Sequence, residues 1–115
     1  MQQGVRMAAD PGLLELLRDE LAGQPGLTEK RMFGGICFLI DGNMLCGVLA
    51  TGAIFRVGKE AEPAALRIEG VRPMSLTGRR MGGMIEVDAE ALADDDRRGA
   101  LCDLALGFVR GLPAK

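Results

Sequence analysis

An α+β domain is the fold class the sequence predicts, and three observations carry it. Leucines recur at helical spacing after Asp10-Pro11. An apolar run from Gly35 to Val57 is cut by Asp41-Gly42 and Thr51-Gly52, and a second helical stripe runs from Leu101 to Leu112. With 115 residues there is material for one domain only, residues 1–115, with an ordered core at about residues 10–112. The predicted order is helix, three-stranded antiparallel meander, short helix, two-stranded hairpin, C-terminal helix.

Asp10 can cap free backbone amides, and Pro11 has no amide to lose at the first helical position. Leu13, Leu14, Leu16, Leu17 and Leu21 then share one side, with Glu15, Arg18, Asp19 and Glu20 on the other and Gly23 as the stop. "QPGLTEK" reads as a loop. The meander follows, and its Asp-Gly turn favours type I′, because both central residues need positive φ. Ile40 then faces Asn43, and counting outward sets Cys37 opposite Cys46. Taking Thr51-Gly52 as the second turn puts Val48 opposite Phe55 and Cys46 opposite Val57.

Alternation sorts these strands into two faces. Cys37, Leu39, Met44, Cys46, Val48, Phe55 and Val57 are expected to meet the helices. Ile36, Phe38, Ile40, Leu45, Leu49 and Ile54 fall on the other side, interrupted by Asn43, Gly47 and Arg56. So apolar a second face predicts either a helix of the same chain over it or a homodimer through it, with Phe38→Asp dissociating that dimer.

Beyond Val57, "KEAEPAALRIEG" predicts a short helix with Pro63 in its first turn and Gly70 at its end. "RPMSLTGRRMGGMIEV" predicts a hairpin around Thr77-Gly78, with Pro73 on an edge. The last helix collects Leu101, Leu104, Ala105, Phe108, Val109 and Leu112 on one face. Asp94, Asp95 and Asp96 serve as its solvated, capped start rather than as a metal site.

Composition narrows the chemistry. Hydrophobic residues at 48% and charged residues at 26% exclude wholesale disorder, and 17 glycines imply many turns or close backbone approaches. A net charge of −2 argues against nonspecific nucleic-acid binding. No run is long enough to span a bilayer, and no apolar leader opens the chain, so a cytoplasmic protein is expected. Without histidine, the common triads and imidazole metal ligation are closed; no cofactor and no metal are expected. Three cysteines leave two readings: a geometrically tight Cys37–Cys46 disulfide, or buried free thiols acting as small hydrophobes.

Two glycine stretches invite an anion. Arg31 with Gly34 and Gly35, and Arg79 and Arg80 with Gly82 and Gly83, would cradle a phosphate or carboxylate if the fold joined them. Met32 and Phe33 before the first pair either shape a pocket or anchor the turn.

The stretch "RMFGGICFLIDGNMLCGVLATGAIFRVG" resembles the N-terminal domain of the TfoX/Sxy family. The matching positions are Arg31, Met32, Phe33, Gly34, Gly35, Asp41, Gly42, Arg56 and Val57, within a likeness spanning Leu13 to Val109. The resemblance implies an α+β fold similar to type III secretion chaperones. It also implies a regulatory role, since founding members activate competence genes, with the cyclic AMP receptor protein; those regulators carry a second, helical domain for which these residues have no room. It carries no catalytic residues. The expectation is thus a nonenzymatic regulatory or protein-interaction module. The alternative is a small-molecule or anion binder using the Arg-Gly-Gly loops.

Overall fold

The computed structural model of the chain describes residues 8–32, 34–76 and 78–115. Helix α1 (Pro11–Leu21) starts as expected: the Asp10 carboxylate accepts from the Leu13 amide at 3.0 Å. Leu13, Leu17 and Leu21 form its buried stripe, and Gly23 ends it at φ +84°. There follow β1 (Leu27–Met32), β2 (Gly35–Ile40), β3 (Asn43–Val48), β4 (Gly52–Arg56), α2 (Glu62–Leu66), β5 (Val71–Leu76), β6 (Arg79–Asp88), α3 (Ala89–Ala93) and α4 (Asp95–Val109). The fold is α+β, with one antiparallel sheet in the order β1-β2-β3-β4-β6-β5.

Every predicted element is present, and two more join them. Leu27 to Lys30, read as loop, belong to β1, where Thr28 to Arg31 are exposed, and the strand pairs along β2 from Leu27↔Ile40 to Met32↔Gly35. An edge strand has no neighbour on one side, so its sequence need not alternate. The charged residues of β1 and Pro73 on the other edge, β5, both discourage pairing with a stray strand. The second addition is α3, capped by Asp88 at 2.9 Å from the Ala91 amide. It is too short to show a period.

The Asp41-Gly42 turn has the expected type I′ signs, with φ of +50° and +84°. Ile40 faces Asn43 as counted, but the register then slips between Phe38 and Leu39, leaving Leu45 as an extra residue on β3. Cys37 therefore faces Gly47, and Cys46 faces Phe38. The second turn is also displaced: Leu49 bonds to Gly52 at 2.8 Å, so Ala50 and Thr51 are the loop. Cys46 accordingly faces Phe55, and Val48 faces Ala53. At the third hairpin Leu76 faces Arg79, as a turn at Thr77-Gly78 requires; Thr77 itself lies outside the described residues.

The bulge redistributes the faces. Phe38, Ile40, Leu45, Cys46, Val48, Phe55, Ile85 and Val87 join Leu17, Leu92, Leu101, Ala105 and Val109 in one core under the helices. Cys37 and Ile54 are buried on the opposite face, where Gly47 lies between them. Cys37 and Leu39, expected beneath the helices, are thus on the other side, while Met44 is half-buried at the strand end that α4 crosses. Phe38, Ile40 and Leu45, expected on the second face, are the core.

Polar groups tie the layers. Arg98, only 7% exposed, donates to Glu20 at 3.1 Å, to the Leu92 carbonyl at 3.0 Å and to Asp95 at 2.7 Å. It joins α1, α3 and α4 with each bond satisfied. After α4 the chain turns back over the Asp41-Gly42 hairpin. The Asn43 side chain donates to the Pro113 carbonyl at 2.9 Å, and the Lys115 amide donates to that of Asp41 at 2.8 Å. These bonds fix the C-terminal half of α4 across the ends of β3 and β4.

Candidate functional site

A groove of about 1130 Å³ opens where α4 crosses those strand ends. One wall is Leu104, Gly107, Phe108, Gly111 and Leu112; the other is Met44, Arg56 to Ala61 and Met81 to Met84. Local backbone geometry builds the second wall. The Val57 and Gly58 amides both donate to the Gly83 carbonyl, at 2.9 and 3.1 Å, and Gly58 and Gly83 each adopt φ of +84°. A side chain at Gly58 would overlap the Phe108 ring, so glycine there lets the helix approach.

Gly107 is different. A glycine inside a helix destabilises it by roughly 0.5–1 kcal/mol relative to alanine. No contact demands one here, since a Cβ at Gly107 would meet nothing within 4 Å. Its effect is to keep the helical wall low. Met44, Met81 and Met84 supply flexible, polarizable surface opposite, the kind that adapts to varied partners. Met81 is 37% exposed. Arg56 is half-buried, with its guanidinium 5.5 Å from the centre of the Phe108 ring.

The two Arg-Gly-Gly stretches do not meet. Arg31 is exposed on β1, Gly34 is a turn residue at φ +77°, and Gly35 opens β2. Arg79, Arg80, Gly82 and Gly83 are not a loop but part of β6. β2, β3 and β4 separate β1 from β6, about 19 Å at roughly 4.8 Å per strand. The stretches also sit at opposite ends of the sheet, because Ile36 aligns through Val48 and Ala53 with Val87, the far end of β6. One common cradle from these residues is not formed.

The second stretch already holds an anion of its own. Glu62, 7% exposed, accepts from Arg80 at 2.8 Å and from the Gly83 amide at 3.1 Å. The Arg80 guanidinium first, and the Gly83 amide second, hold this carboxyl below the usual glutamate range. A depressed folded-state pKa stabilises the fold above the unfolded value, and that contribution disappears as acid titrates the folded carboxylate. Glu62→Gln should therefore flatten the acid side of a Tm-against-pH curve and lower Tm at neutral pH. An unchanged acid limb would remove Glu62 from this role.

All three cysteines are free and buried. Cys37 and Cys46 point to opposite faces, so the register forms no bridge between them. Burial raises each thiol, Cys46 well above its ordinary value and Cys102 up to about 12. Such thiols are poor nucleophiles at neutral pH. Asp94 caps α4 through the Arg97 amide at 2.9 Å, and Asp95 pairs with Arg98. Among the described residues no cluster of acids and cysteines has metal-holding geometry, and no helix is long and apolar enough to cross a membrane.

The six residues expected to form a dimer face are divided. Phe38, Ile40 and Leu45 lie in the core, Ile54 is buried on the opposite side, and Ile36 and Leu49 are half-buried. Met32 ends β1 half-buried; Phe33 lies outside the described residues. Sequence reasoning missed the groove because its walls come from four separated segments. Gly107, a glycine inside a helix and next to its apolar stripe, was a local signal.

Residues 19–109 match the family described as TfoX N-terminal domain. No curated protein and no solved structure matches.

Proposed function

Because the chain belongs to the TfoX N-terminal domain family, we propose that it is a nonenzymatic regulatory module, linked to transcriptional or competence control, that engages a partner protein through the groove beside α4. The observation that carries this reading is the groove's lining: three methionines, Phe108 and Leu104 facing each other across a wall lowered by Gly107 and Gly111. Adaptable apolar surface of this kind suits binding. Reactive groups elsewhere are engaged in the fold, the cysteines by burial and Glu62 by its ion pair, which supports action by contact rather than by chemistry.

A second copy of the chain is one partner this reading accommodates, now at the groove rather than at Phe38. Met81→Glu tests the surface with little risk to the fold, since the side chain is exposed. A tagged wild-type chain should retain a specific protein from its native cell extract, and Met81→Glu should lose it at unchanged Tm. Equal retention by both chains, or none by either, contradicts the proposal.

A further inference from the structure

Among the described residues, Arg18, Arg72, Arg80, Arg97 and Arg98 each form an ion pair with a carboxylate. Arg56 forms none, although it is half-buried and fixed over Phe108. The arginines otherwise left without a carboxylate, Arg31, Arg67, Arg79 and Arg110, are exposed, and Arg110 donates to the Gln24 side chain and the Pro25 carbonyl. A guanidinium with restricted access to water, beside apolar walls, gains more from an anion than one on an open surface. Lys59 adds a second cation on the rim; the acids there, Glu60 and Asp103, are exposed and stand outside ion-pairing reach of Arg56.

The apolar lining and the unpaired cation call for one molecule with both characters. Resting on the reading that the groove is where this chain binds, we propose that it takes a small amphipathic carboxylate. The apolar chain or ring lies against Leu104, Phe108 and Met84, and the carboxylate meets the Arg56 guanidinium in a charge-assisted hydrogen bond. Gly107 leaves the room that the apolar part occupies. The regulatory module is thereby responsive to a metabolite-sized anion, and occupancy competes with a partner protein for the same walls.

Decanoate, kept below its micelle-forming concentration, is the probe, titrated calorimetrically into the full chain. Saturable binding is expected, weakened about tenfold or more by Arg56→Gln. Decanol, with the same chain and no charge, should bind weaker by a similar factor. Gly107→Leu fills the groove from a helix that gains propensity, so it should abolish binding while Tm is kept or raised. It serves as the test if Arg56→Gln fails to fold. No saturable binding, equal binding of decanol, or binding unaffected by Gly107→Leu overturns the proposal. Partner retention lost in Met81→Glu without decanoate binding rejects the ligand alone; decanoate binding with no partner retained rejects the protein contact alone.

Discussion

Phe38→Ala should lower the free energy of unfolding by about 3–5 kcal/mol, a large part of the roughly 5–15 kcal/mol available to a domain of this size. Phe38 has no exposed surface and lies in the core with Phe55, Leu17 and Leu101. Truncating it removes an aromatic ring's transfer energy and leaves a cavity that the sheet and helices cannot close. Phe38→Asp, which would place a charge in the same site, should not fold at all. Urea unfolding of Phe38→Ala reads the effect directly. A loss under about 1 kcal/mol would mean the ring faces outward, as a dimer through Phe38 requires, and that the bulge at Leu45 is misplaced.

Gly52→Ala should be nearly as damaging, at about 1–3 kcal/mol or more, although it adds a single methyl group. A Cβ at Gly52 would overlap the Val87 carbonyl oxygen of β6, a backbone atom that moves only if the strands separate. The β4–β6 pairing, from Gly52↔Asp88 to Arg56↔Met84, is what joins the two halves of the sheet. Gly35 makes the same close approach to the Val48 carbonyl on β3. The midpoint of Gly52→Ala in urea should fall well below that of wild type, and an unchanged midpoint would place β4 further from β6.

Much of the fold was legible because local rules and tertiary demands agreed. Asp10-Pro11 began a helix, Asp41-Gly42 closed a hairpin, and Pro73 marked an edge. The failures share a physical origin: strand side chains alternate, so one extra residue reverses everything beyond it. Leu45 is that residue, and nothing in "NMLCGV" announces a bulge. Thr51-Gly52 misled for a related reason. Glycine serves a turn and a close approach equally well, and only the neighbouring strand shows which applies at Gly52. β1 escaped notice because an edge strand can be polar throughout.

The site was less legible than the fold. Arg56 lay within the family-like stretch, yet alternation alone made it an interruption of an apolar face. Its partner Phe108 is fifty-two positions away by the numbering, on a helix whose placement depends on the Asn43–Pro113 and Asp41–Lys115 bonds. Those contacts have no sequence signature. The glycine stretches, by contrast, were conspicuous and yet solved structural problems: Gly83 holds Glu62 and the ends of β4.

Seven methionines distributed over the chain allow the site to be located without disturbing it. With methyl-labelled methionine, decanoate should shift the Met44, Met81 and Met84 signals together along one saturation curve. Met32 and Met74, which do not line the groove, should stay in place. Movement of Met32 or Met74 with the three groove signals still would place the binding surface elsewhere, and no movement at all would contradict a ligand-responsive groove.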